Sequence, residues 1–276
     1  MSQLKMFLYN LFPKRLKNNL GRSKILAPLR NSFFRSNGTY KEVLVKIKRE
    51  YSNYLVQFNF NASIQVANKA KNQGIENTLL NNSIALLKSD DNNKTIFDVG
   101  TNFGYLSMVW ANTVCKNGKV YSFEPHPLLY NSYSKSVKSN NLQDQIVTEN
   151  VAVGNELGTI EINLLSTTSN TLDIESNKKN DKKVEVNIIT LDHYIEKNNI
   201  TKCDLVKIDV DGIEFDILNG SKELIKKLHP IFIVETNNDT RIIDFFNKHD
   251  YQILNMKLKP ISEGELPSNI FCKPNK

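Results

Sequence analysis

Residues Thr95 to Gly104 read T-I-F-D-V-G-T-N-F-G, and this stretch decides how the rest of the chain is interpreted. A short apolar run ends in Asp98, two glycines follow four positions apart, and an apolar-periodic stretch begins at Tyr105. An order of strand, glycine turn and helix brings the backbone of a chain close to a nucleotide-like ligand. We therefore expect a ligand site at this turn.

Length and composition bound the class of protein. The chain has 276 residues, of which 40% are hydrophobic, enough to fill one large core. Its apolar runs are far shorter than the ~20 residues that span a bilayer, and its start lacks the apolar stretch of a signal peptide. We therefore expect a cytoplasmic protein. Cys115, Cys203 and Cys272 form no CxxC motif and are expected to be small buried residues.

Positive charge is concentrated at the start of the chain. Residues 1–41 contain nine Lys or Arg and no Asp or Glu, whereas the whole chain has a net charge of +7, so the remainder carries −2. Aromatic residues such as Phe7, Phe12 and Phe33 lie between these bases. We predict a basic N-terminal arm over residues 1–41. It could contact an anionic membrane surface or nucleic acid peripherally, or it could be a solubilising leader.

From Lys94 onward, short runs rich in β-branched residues alternate with amphipathic stretches. This rhythm is typical of repeated βαβ units and predicts an α/β fold with a mostly parallel sheet. The expected strands are 95–99, 119–124, 145–149, 205–210 and 231–235, with helices over 104–114, 128–139 and 213–228. A helix capped by Asp239 and a closing strand pair at 251–257 and 269–273 are expected to follow. Two further strands, 159–165 and 184–189, should flank a mobile polar loop at 166–183.

The region in front of this α/β unit shows a different pattern. Residues 40–60 and 62–87 have helix-like apolar spacing, with Val43, Leu44 and Ile47 in the first stretch, and contain no proline. The pattern predicts a helical N-terminal extension over residues 42–92, followed by the α/β domain over residues 93–276.

Four of the expected strands end in a carboxylate. Asp98, Glu124, Asp209 and Glu235 each follow an apolar run, at the place where a parallel strand leaves the sheet. Ligands bind at this edge of a doubly wound sheet because strand ends and helix N-termini converge there. A single acid could be a helix cap, but four together repel one another. The site is therefore expected to bind a cationic or hydroxyl-rich ligand.

The glycine spacing narrows the ligand further. A dinucleotide-binding turn reads G-x-G-x-x-G, whereas this chain has D-x-G-x-x-x-G with Asp98 before the first glycine. That acid would repel a phosphate but could hold an ammonium group. Glu124 lies twenty residues after Gly104, where a carboxylate can accept both hydroxyls of a ribose. S-adenosylmethionine fits, since it has a ribose, a cationic sulfonium and ammonium, and no phosphate.

Several motifs follow one another in an order typical of one enzyme family. They are Asp98-Val-Gly-Thr-Asn-Phe-Gly-Tyr, Phe123-Glu-Pro-His-Pro, Asn150-Val-Ala-Val-Gly, Thr190-Leu-Asp192, Lys207-Ile-Asp-Val-Asp-Gly-Ile-Glu214 and Pro230-Ile-Phe-Ile-Val-Glu235. From about Lys94 to Lys273 the chain resembles the FkbM family of S-adenosylmethionine-dependent methyltransferases. The resemblance implies a Rossmann-like class I methyltransferase domain, with a mostly parallel twisted sheet and a terminal antiparallel strand. It also implies O-methylation of a hydroxyl on a sugar, glycan or glycosylated metabolite.

The resemblance also implies which residues bind the cofactor. The loop under the methionine part would be formed by Asp98, Gly100, Asn102 and Gly104. Glu124, followed by Pro125, would bind the ribose, and Asn150 with Ala152 would border the adenine. Asp209 would stand beside the transferred methyl group.

The catalytic candidates follow from the chemistry of methyl transfer. A hydroxyl acceptor benefits from a base, and we expect Asp209 first and Glu235 second as the base or the acceptor-orienting acid, with Asp211 as a third candidate. Asp211 stands where the family more often has glutamate, so its acid is shorter by one methylene. Glu214 is expected to be a first-turn helix acid. His126 is either a site residue or a loop residue.

Other interpretations stay open at this point. The carboxylates could bind a divalent metal that lowers the pKa of the acceptor hydroxyl, although no residues with metal-ligand spacing are predicted. The protein could instead be an RNA methyltransferase that uses the basic arm, or a non-catalytic membrane-docking or binding module that retains the fold. The fourth strand ends in D-V-D-G rather than Asn-Pro-Pro-aromatic, which favours a small-molecule or glycan acceptor.

Overall fold

The computed structural model describes Leu8 and residues 34–36, 39–164 and 183–275. Most of the predicted basic arm therefore lies outside the described residues, as does the predicted loop at 166–183 apart from Lys183. Within the described ranges, no helix combines the length and the hydropathy needed to cross a membrane.

Within residues 35–92, four strands and two helices precede the α/β unit. A short antiparallel pair, β1 (Arg35–Ser36) and β2 (Thr39–Tyr40), leads into a long antiparallel hairpin of β3 (Glu42–Tyr51) and β4 (Tyr54–Ser63). The helices α1 (Ile64–Asn72) and α2 (Asn77–Leu87) follow.

The predicted helical extension over residues 42–92 is wrong in its first half. In β3, Val43, Val45 and Ile47 are buried and the residues between them are exposed, which is the period of a half-buried strand. Leu44 and Leu55, which complete the helix-like spacing in the sequence, are 44% and 66% exposed. The second half of the prediction, residues 62–87, is confirmed as helical, but the helix is divided into α1 and α2 by residues 73–76.

Ten further strands are present in the described residues after Lys94. In chain order they are β5 (Thr95–Val99), β6 (Lys119–Phe123), β7 (Ile146–Glu149), β8 (Ala152–Val153), β9 (Gly158–Asn163), β10 (Lys183–Ile189), β11 (Leu205–Ile208), β12 (Ile231–Glu235), β13 (Tyr251–Leu254) and β14 (Asn269–Pro274). Seven of them form the central sheet in the order β13-β14-β12-β11-β5-β6-β7. Five neighbouring strands are parallel to one another, in the order β12-β11-β5-β6-β7. β14 is antiparallel to both of its neighbours, β12 and β13.

This topology confirms the predicted α/β class, with a mostly parallel sheet and a terminal antiparallel strand. The five predicted parallel strands are present, although two of them end earlier than expected, at Phe123 and Ile208. The three remaining strands form a smaller sheet in the order β8-β10-β9. Of these, β9 and β10 confirm the two alternating stretches, and β8 was not expected.

Among residues 93–164 and 183–275, six helices connect the strands. They are α3 (Tyr105–Ala111), α4 (Pro127–Ser139), α5 (Leu191–Lys197), α6 (Glu214–Asn219), α7 (Lys222–Leu228) and α8 (Thr240–Lys248). The single helix predicted over 213–228 is wrong, because it is broken into α6 and α7 at Gly220. A Cβ atom at Gly220 would lie 2.2 Å from the carbonyl oxygen of Gly154, so the helix pair packs backbone to backbone against the end of β8. Asp239 caps α8 as predicted, since its carboxylate accepts the N–H of Arg241.

Buried side chains form two hydrophobic clusters, one on each face of the central sheet. Ile96 belongs to the first cluster and Phe97 to the second, because successive residues of β5 point to opposite faces. The first cluster also includes inner-face residues of the β3–β4 hairpin, such as Phe60, together with Trp110 of α3. The N-terminal elements therefore share a core with the sheet.

All three cysteines are free and buried, as expected. Cys115 lies in the first cluster, whereas Cys203 and Cys272 lie in the second. Burial raises the thiol pKa of each one.

Candidate active site

A cleft opens at the carboxyl edge of the parallel strands, where β5, β6 and β11 end and β8 and β9 form one wall. It encloses about 790 Å³, including open solvent at its mouth. Six of the residues predicted to bind a cofactor line it: Gly100, Asn102, Glu124, Pro125, Ala152 and Asp209. The other predicted residues, Asp98, Gly104, Asn150, Asp211 and Glu235, lie around this cleft without lining it.

The glycine turn is held in a conformation that requires glycine. Gly100 has φ +77°, and a Cβ atom there would lie 2.0 Å from the carbonyl oxygen of Asp209. Gly104 has φ +78°, and a Cβ atom there would meet the Tyr133 ring at 1.9 Å. The first glycine therefore lets the β5 and β11 loops touch, and the second lets α3 begin against α4.

Glu124 organises the loop between β5 and α3 and also faces the cleft. Its Oε2 accepts the N–H of Asn102 at 2.7 Å, and its Oε1 accepts the N–H of His126 at 2.9 Å. The side chain is buried, and this burial outweighs the two hydrogen bonds and raises the pKa of Glu124 to about 7. Each carboxylate oxygen can still accept a second hydrogen bond when the group is ionised.

The loops after β6 and β7 are tied together by Asn150. Its side-chain amide donates to the carbonyl oxygens of Glu124 at 2.8 Å and Pro125 at 2.9 Å. Asn150 therefore shapes the border of the cleft, while Ala152 lines it. His126 also lines the cleft, and its Nδ1 accepts the N–H of Leu128 in the first turn of α4.

Asp98, predicted to hold an ammonium group, is placed beneath the cleft. It is only 1% exposed, and its Oδ2 accepts the hydroxyl hydrogen of Ser107 at 2.5 Å. Its Oδ1 lies 3.6 Å from Nζ of Lys207. The cationic partner of Asp98 is therefore a residue of this chain.

Lys207 lies beneath the cleft between Asp98 and Asp209, and the sequence analysis did not predict a role for it. It is 4% exposed, and its Nζ lies 3.4 Å from Oδ2 of Asp209 and donates to the carbonyl oxygen of Gly100 at 3.1 Å. Burial alone would lower the pKa of Lys207, but the charges of Asp209 and Asp98 outweigh it and raise the pKa. The available signal was a lysine inside a strand that the sheet buries on both faces.

The Asp209 and Glu235 carboxylates lie beside each other, and each one influences the ionisation of the other. The charge of Lys207 lowers the pKa of Asp209. Burial, followed by the negative charge of Asp209, raises the pKa of Glu235 to about 7. One proton is therefore exchangeable on this pair near neutral pH.

The loop D-V-D-G after β11 is held by Glu214. The Glu214 carboxylate is buried in the first turn of α6, as expected, and accepts the N–H groups of Val210 and Gly212 and an N–H of the Asn237 side chain. Asp211 lies in this loop with φ +62°, and its negative charge adds to the raised pKa of Glu235.

Within the described ranges, no group of three or more His, Cys, Asp and Glu side chains could hold a metal ion.

The arrangement of glycine turn, strand-end acids and topology agrees with a comparison against protein families. The model of the methyltransferase FkbM domain matches residues 98–253, more than half of the chain. The chain belongs to the FkbM methyltransferase family. The model of protein-L-isoaspartate(D-aspartate) O-methyltransferase also matches, over residues 21–159, a stretch that ends within β9. The match to the FkbM domain extends from β5 to β13.

Membership of the FkbM family confirms the resemblance and the predicted Rossmann-like class I methyltransferase fold. Residues 98–253 therefore form a methyltransferase domain of the kind that depends on S-adenosylmethionine. Comparison with curated proteins gave no match.

Three solved structures are similar to this FkbM-family chain. FkbM methyltransferase from Methylobacillus flagellatus KT has 15% identity and a TM-score of 0.48, covering 67% of this chain and 45% of that one, so this chain spans less than half of that protein. Precorrin-6y C5,15-methyltransferase from Geobacter metallireducens GS-15 has 12% identity and a TM-score of 0.41, with coverages of 73% and 89%. TrmK from M. capricolum, in complex with S-adenosyl-homocysteine, has 18% identity and a TM-score of 0.38, with coverages of 72% and 68%.

Proposed function

We propose that this protein is an O-methyltransferase that acts on a hydroxyl of a sugar, a glycan or a glycosylated small molecule. The observation that carries the proposal is the pair of neighbouring carboxylates Asp209 and Glu235, of which Asp209 lines the cleft and Glu235 has a pKa of about 7. A base works best when its pKa is near the working pH, because it is then both ionised and able to take a proton. A hydroxyl acceptor needs such a base.

The residues of the cleft fit S-adenosylmethionine. The carboxylate of Glu124 has lone pairs left for two ribose hydroxyls, and Ala152 and Ile160 belong to an apolar wall suited to an adenine ring. Gly100 and Asn102, which both line the cleft, would border the methionine part. When bound, S-adenosylmethionine supplies a methyl group whose carbon–sulfur bond breaks, leaving its electron pair on sulfur, as the bond to the acceptor oxygen forms.

The side chains of this protein then have two tasks. The apolar wall and Glu124 fix the position of the methyl donor, which removes much of the entropic barrier to an in-line displacement. The Asp209–Glu235 pair takes the proton that the acceptor hydroxyl loses, so that no charged oxygen is left in the product. Asp211 lies in the adjoining loop and would contact the acceptor at the mouth of the site.

Calorimetry tests the cofactor and labelled methyl transfer tests the reaction. We expect heat of binding with S-adenosylmethionine and none with NAD. With radiolabelled donor and a cell extract as the source of acceptors, we expect the label on an oxygen of a small molecule or glycan. Label on nitrogen or carbon would contradict O-methylation, and label in RNA that is lost when residues 1–41 are removed would instead support the RNA methyltransferase alternative.

The Asp209–Glu235 pair is tested by conservative substitutions. Asp209→Asn and Glu235→Gln should each lower kcat by about 10²–10⁴-fold, because each disrupts the pair of carboxylates that removes the proton from the acceptor hydroxyl. The affinity for S-adenosylmethionine in Glu235→Gln should stay close to that of the unmodified protein. Glu223→Gln, an exposed change on α7, is the matched control and should leave kcat unchanged. Full activity in both Asp209→Asn and Glu235→Gln would remove this pair from the mechanism.

A further inference from the structure

Lys207 carries a buried charge that the proposed function leaves without a role. It lies on β11 directly opposite Asp98 of β5 in the parallel register. Four oxygen atoms surround its Nζ: Oδ1 of Asp98 at 3.6 Å, Oδ2 of Asp209 at 3.4 Å, and the carbonyl oxygens of Gly100 at 3.1 Å and Val99 at 3.4 Å. One ammonium group thus joins the glycine turn to the carboxylate at the end of the next strand.

Asp98 and Lys207 balance each other inside the protein. Asp98 is 1% exposed and Lys207 is 4% exposed, and a buried charge is stable only with a partner of opposite sign. Oδ1 of Asp98 has no hydrogen-bond donor among the described residues, so the ammonium at 3.6 Å is its main compensation. The second carboxylate at the same ammonium, Asp209, is the group that reaches the cleft.

Asp209 and Glu235 differ in what surrounds them. Asp209 has the Lys207 ammonium at 3.4 Å, whereas no described ion pair joins Lys207 to Glu235. Glu235 instead faces two negative groups, Asp209 and Asp211, and receives one long hydrogen bond from the amide of Asn237 at 3.4 Å. Two adjacent carboxylates do not both ionise easily, and the one beside the cation keeps its charge.

We propose that Lys207 is a positioning residue that keeps the Asp209 carboxylate ionised and turned toward the Gly100 loop, so that Glu235 is the member of the pair that exchanges the proton. This inference rests on the proposed function, because the proton that Glu235 exchanges would come from the acceptor hydroxyl. The fixed charge of Asp209 then faces the place where the cationic methyl donor would lie. Glu235 takes the proton of the hydroxyl, and Asp209 does not.

Carboxyl ¹³C NMR titration of the full chain tests this assignment without cofactor or acceptor. In the unmodified protein we expect Glu235 to titrate near pH 7 and Asp209 below the usual range of aspartate. The informative variant is Lys207→Met combined with Asp98→Asn, which removes the ammonium without leaving Asp98 as an uncompensated charge. The Asp209 midpoint should then rise by about 1–3 pH units, the usual effect of one nearby opposite charge.

Asp98→Asn alone is the matched control. It retains Lys207, so the Asp209 midpoint should stay low. Should the double variant fail to fold, Asp209→Asn supplies a second test, because Asp209 lies in a partly exposed loop. Loss of the Asp209 charge should move the Glu235 midpoint from near 7 toward the ordinary range of glutamate.

Two results would overturn the assignment. One is an Asp209 midpoint that does not move when Lys207 is replaced, and the other is a Glu235 midpoint already in the ordinary range in the unmodified protein. Because these titrations need no methyl transfer, they separate failure of this inference from failure of the proposed function. A protein that binds no S-adenosylmethionine would defeat the latter whatever the titrations show.

Discussion

At the residue scale, Glu124 combines two requirements in one carboxylate. It accepts backbone N–H groups from the loops after β5 and β6, and the same group lines the cleft. The amide of Glu124→Gln would place an N–H against one of these donors and remove one acceptor from the cleft. We expect the affinity for S-adenosylmethionine to fall by about 10–100-fold, the value of one or two hydrogen bonds to a charged group. Glu161→Gln on the exposed face of β9 is the control.

The raised pKa of Glu124 gives this affinity a pH dependence. A protonated carboxyl has fewer free acceptors, so the affinity of the unmodified protein should fall as the pH is lowered from 8 to 6, through the pKa of about 7. Calorimetry at several pH values measures it. In Glu124→Gln this dependence should vanish, and an equal dependence in both proteins would assign it to another group.

Gly100 is a residue that lies directly against the backbone of a neighbouring loop. Gly100→Ala adds a Cβ atom 2.0 Å from the Asp209 carbonyl oxygen at φ +77°, so the β5 and β11 loops must separate. We expect a loss of at least about 2 kcal/mol in the free energy of unfolding, from the left-handed backbone and the clash together. Chemical denaturation measures the loss. Gly158→Ala, which meets nothing within 4 Å, should stay within about 0.5 kcal/mol of the unmodified protein.

The cleft was more predictable than the charges beneath it. Gly100, Glu124 and Asp209 stand where a parallel strand ends, so their common edge follows from local sequence alone. The pairing of Asp98 with Lys207 depends on the register between β5 and β11, two strands that are more than 100 residues apart in the chain. Local sequence contains no signal for that register.

At the element scale, the β3–β4 hairpin shows how a strand can imitate a helix. Val43, Leu44 and Ile47 satisfy helical spacing, and Val43, Val45 and Ile47 satisfy strand spacing equally well. Only burial decides between them, and the structure exposes Leu44. The parallel strands caused no such ambiguity, because their short runs of β-branched residues end in turns and carboxylates.

The turn of this hairpin provides a test of the strand assignment. Ser52 and Asn53 both have positive φ, +46° and +72°, as in the two-residue turns that match the twist of a hairpin. Asn53 is exposed, so Asn53→Ile changes little except backbone preference and should cost about 1–2 kcal/mol, whereas Asn53→Gly should be neutral or stabilising. Denaturant unfolding measures both. Gln57→Ile on the exposed face of β4 is the matched control, and an equal loss there would contradict the turn explanation.

At the scale of the whole molecule, the N-terminal elements and the α/β unit are joined by buried polar contacts as well as by the first hydrophobic cluster. Nε1 of Trp110 donates to Oγ of Ser83 at 2.9 Å, and the hydroxyls of Tyr51 and Tyr105 lie 2.9 Å apart. Both contacts connect residues before 93 with α3. The predicted boundary at residue 93 thus passes through a shared core.

Ser83→Ala measures the strength of this connection. Ser83 is fully buried, so the substitution leaves the indole N–H of Trp110 without its acceptor and should cost about 1–3 kcal/mol. In a Trp110→Phe background, where no N–H remains, the same substitution should cost clearly less. Thermal or denaturant unfolding of the four proteins gives the coupling energy. If Ser83→Ala lowers the free energy of unfolding equally in both backgrounds, this hydrogen bond contributes nothing to the connection.

The three buried cysteines can report local unfolding of the core through their reaction with an alkylating reagent. A thiol reacts only as an exposed thiolate, and burial suppresses both exposure and ionisation at Cys115, Cys203 and Cys272. Cys115 lies on one face of the central sheet, and the other two lie on the opposite face. Alkylation followed by mass spectrometry therefore measures separately how fast the core on each face opens. The order in which the peptides acquire label will reveal which side of the enzyme loosens first, with no engineered probe.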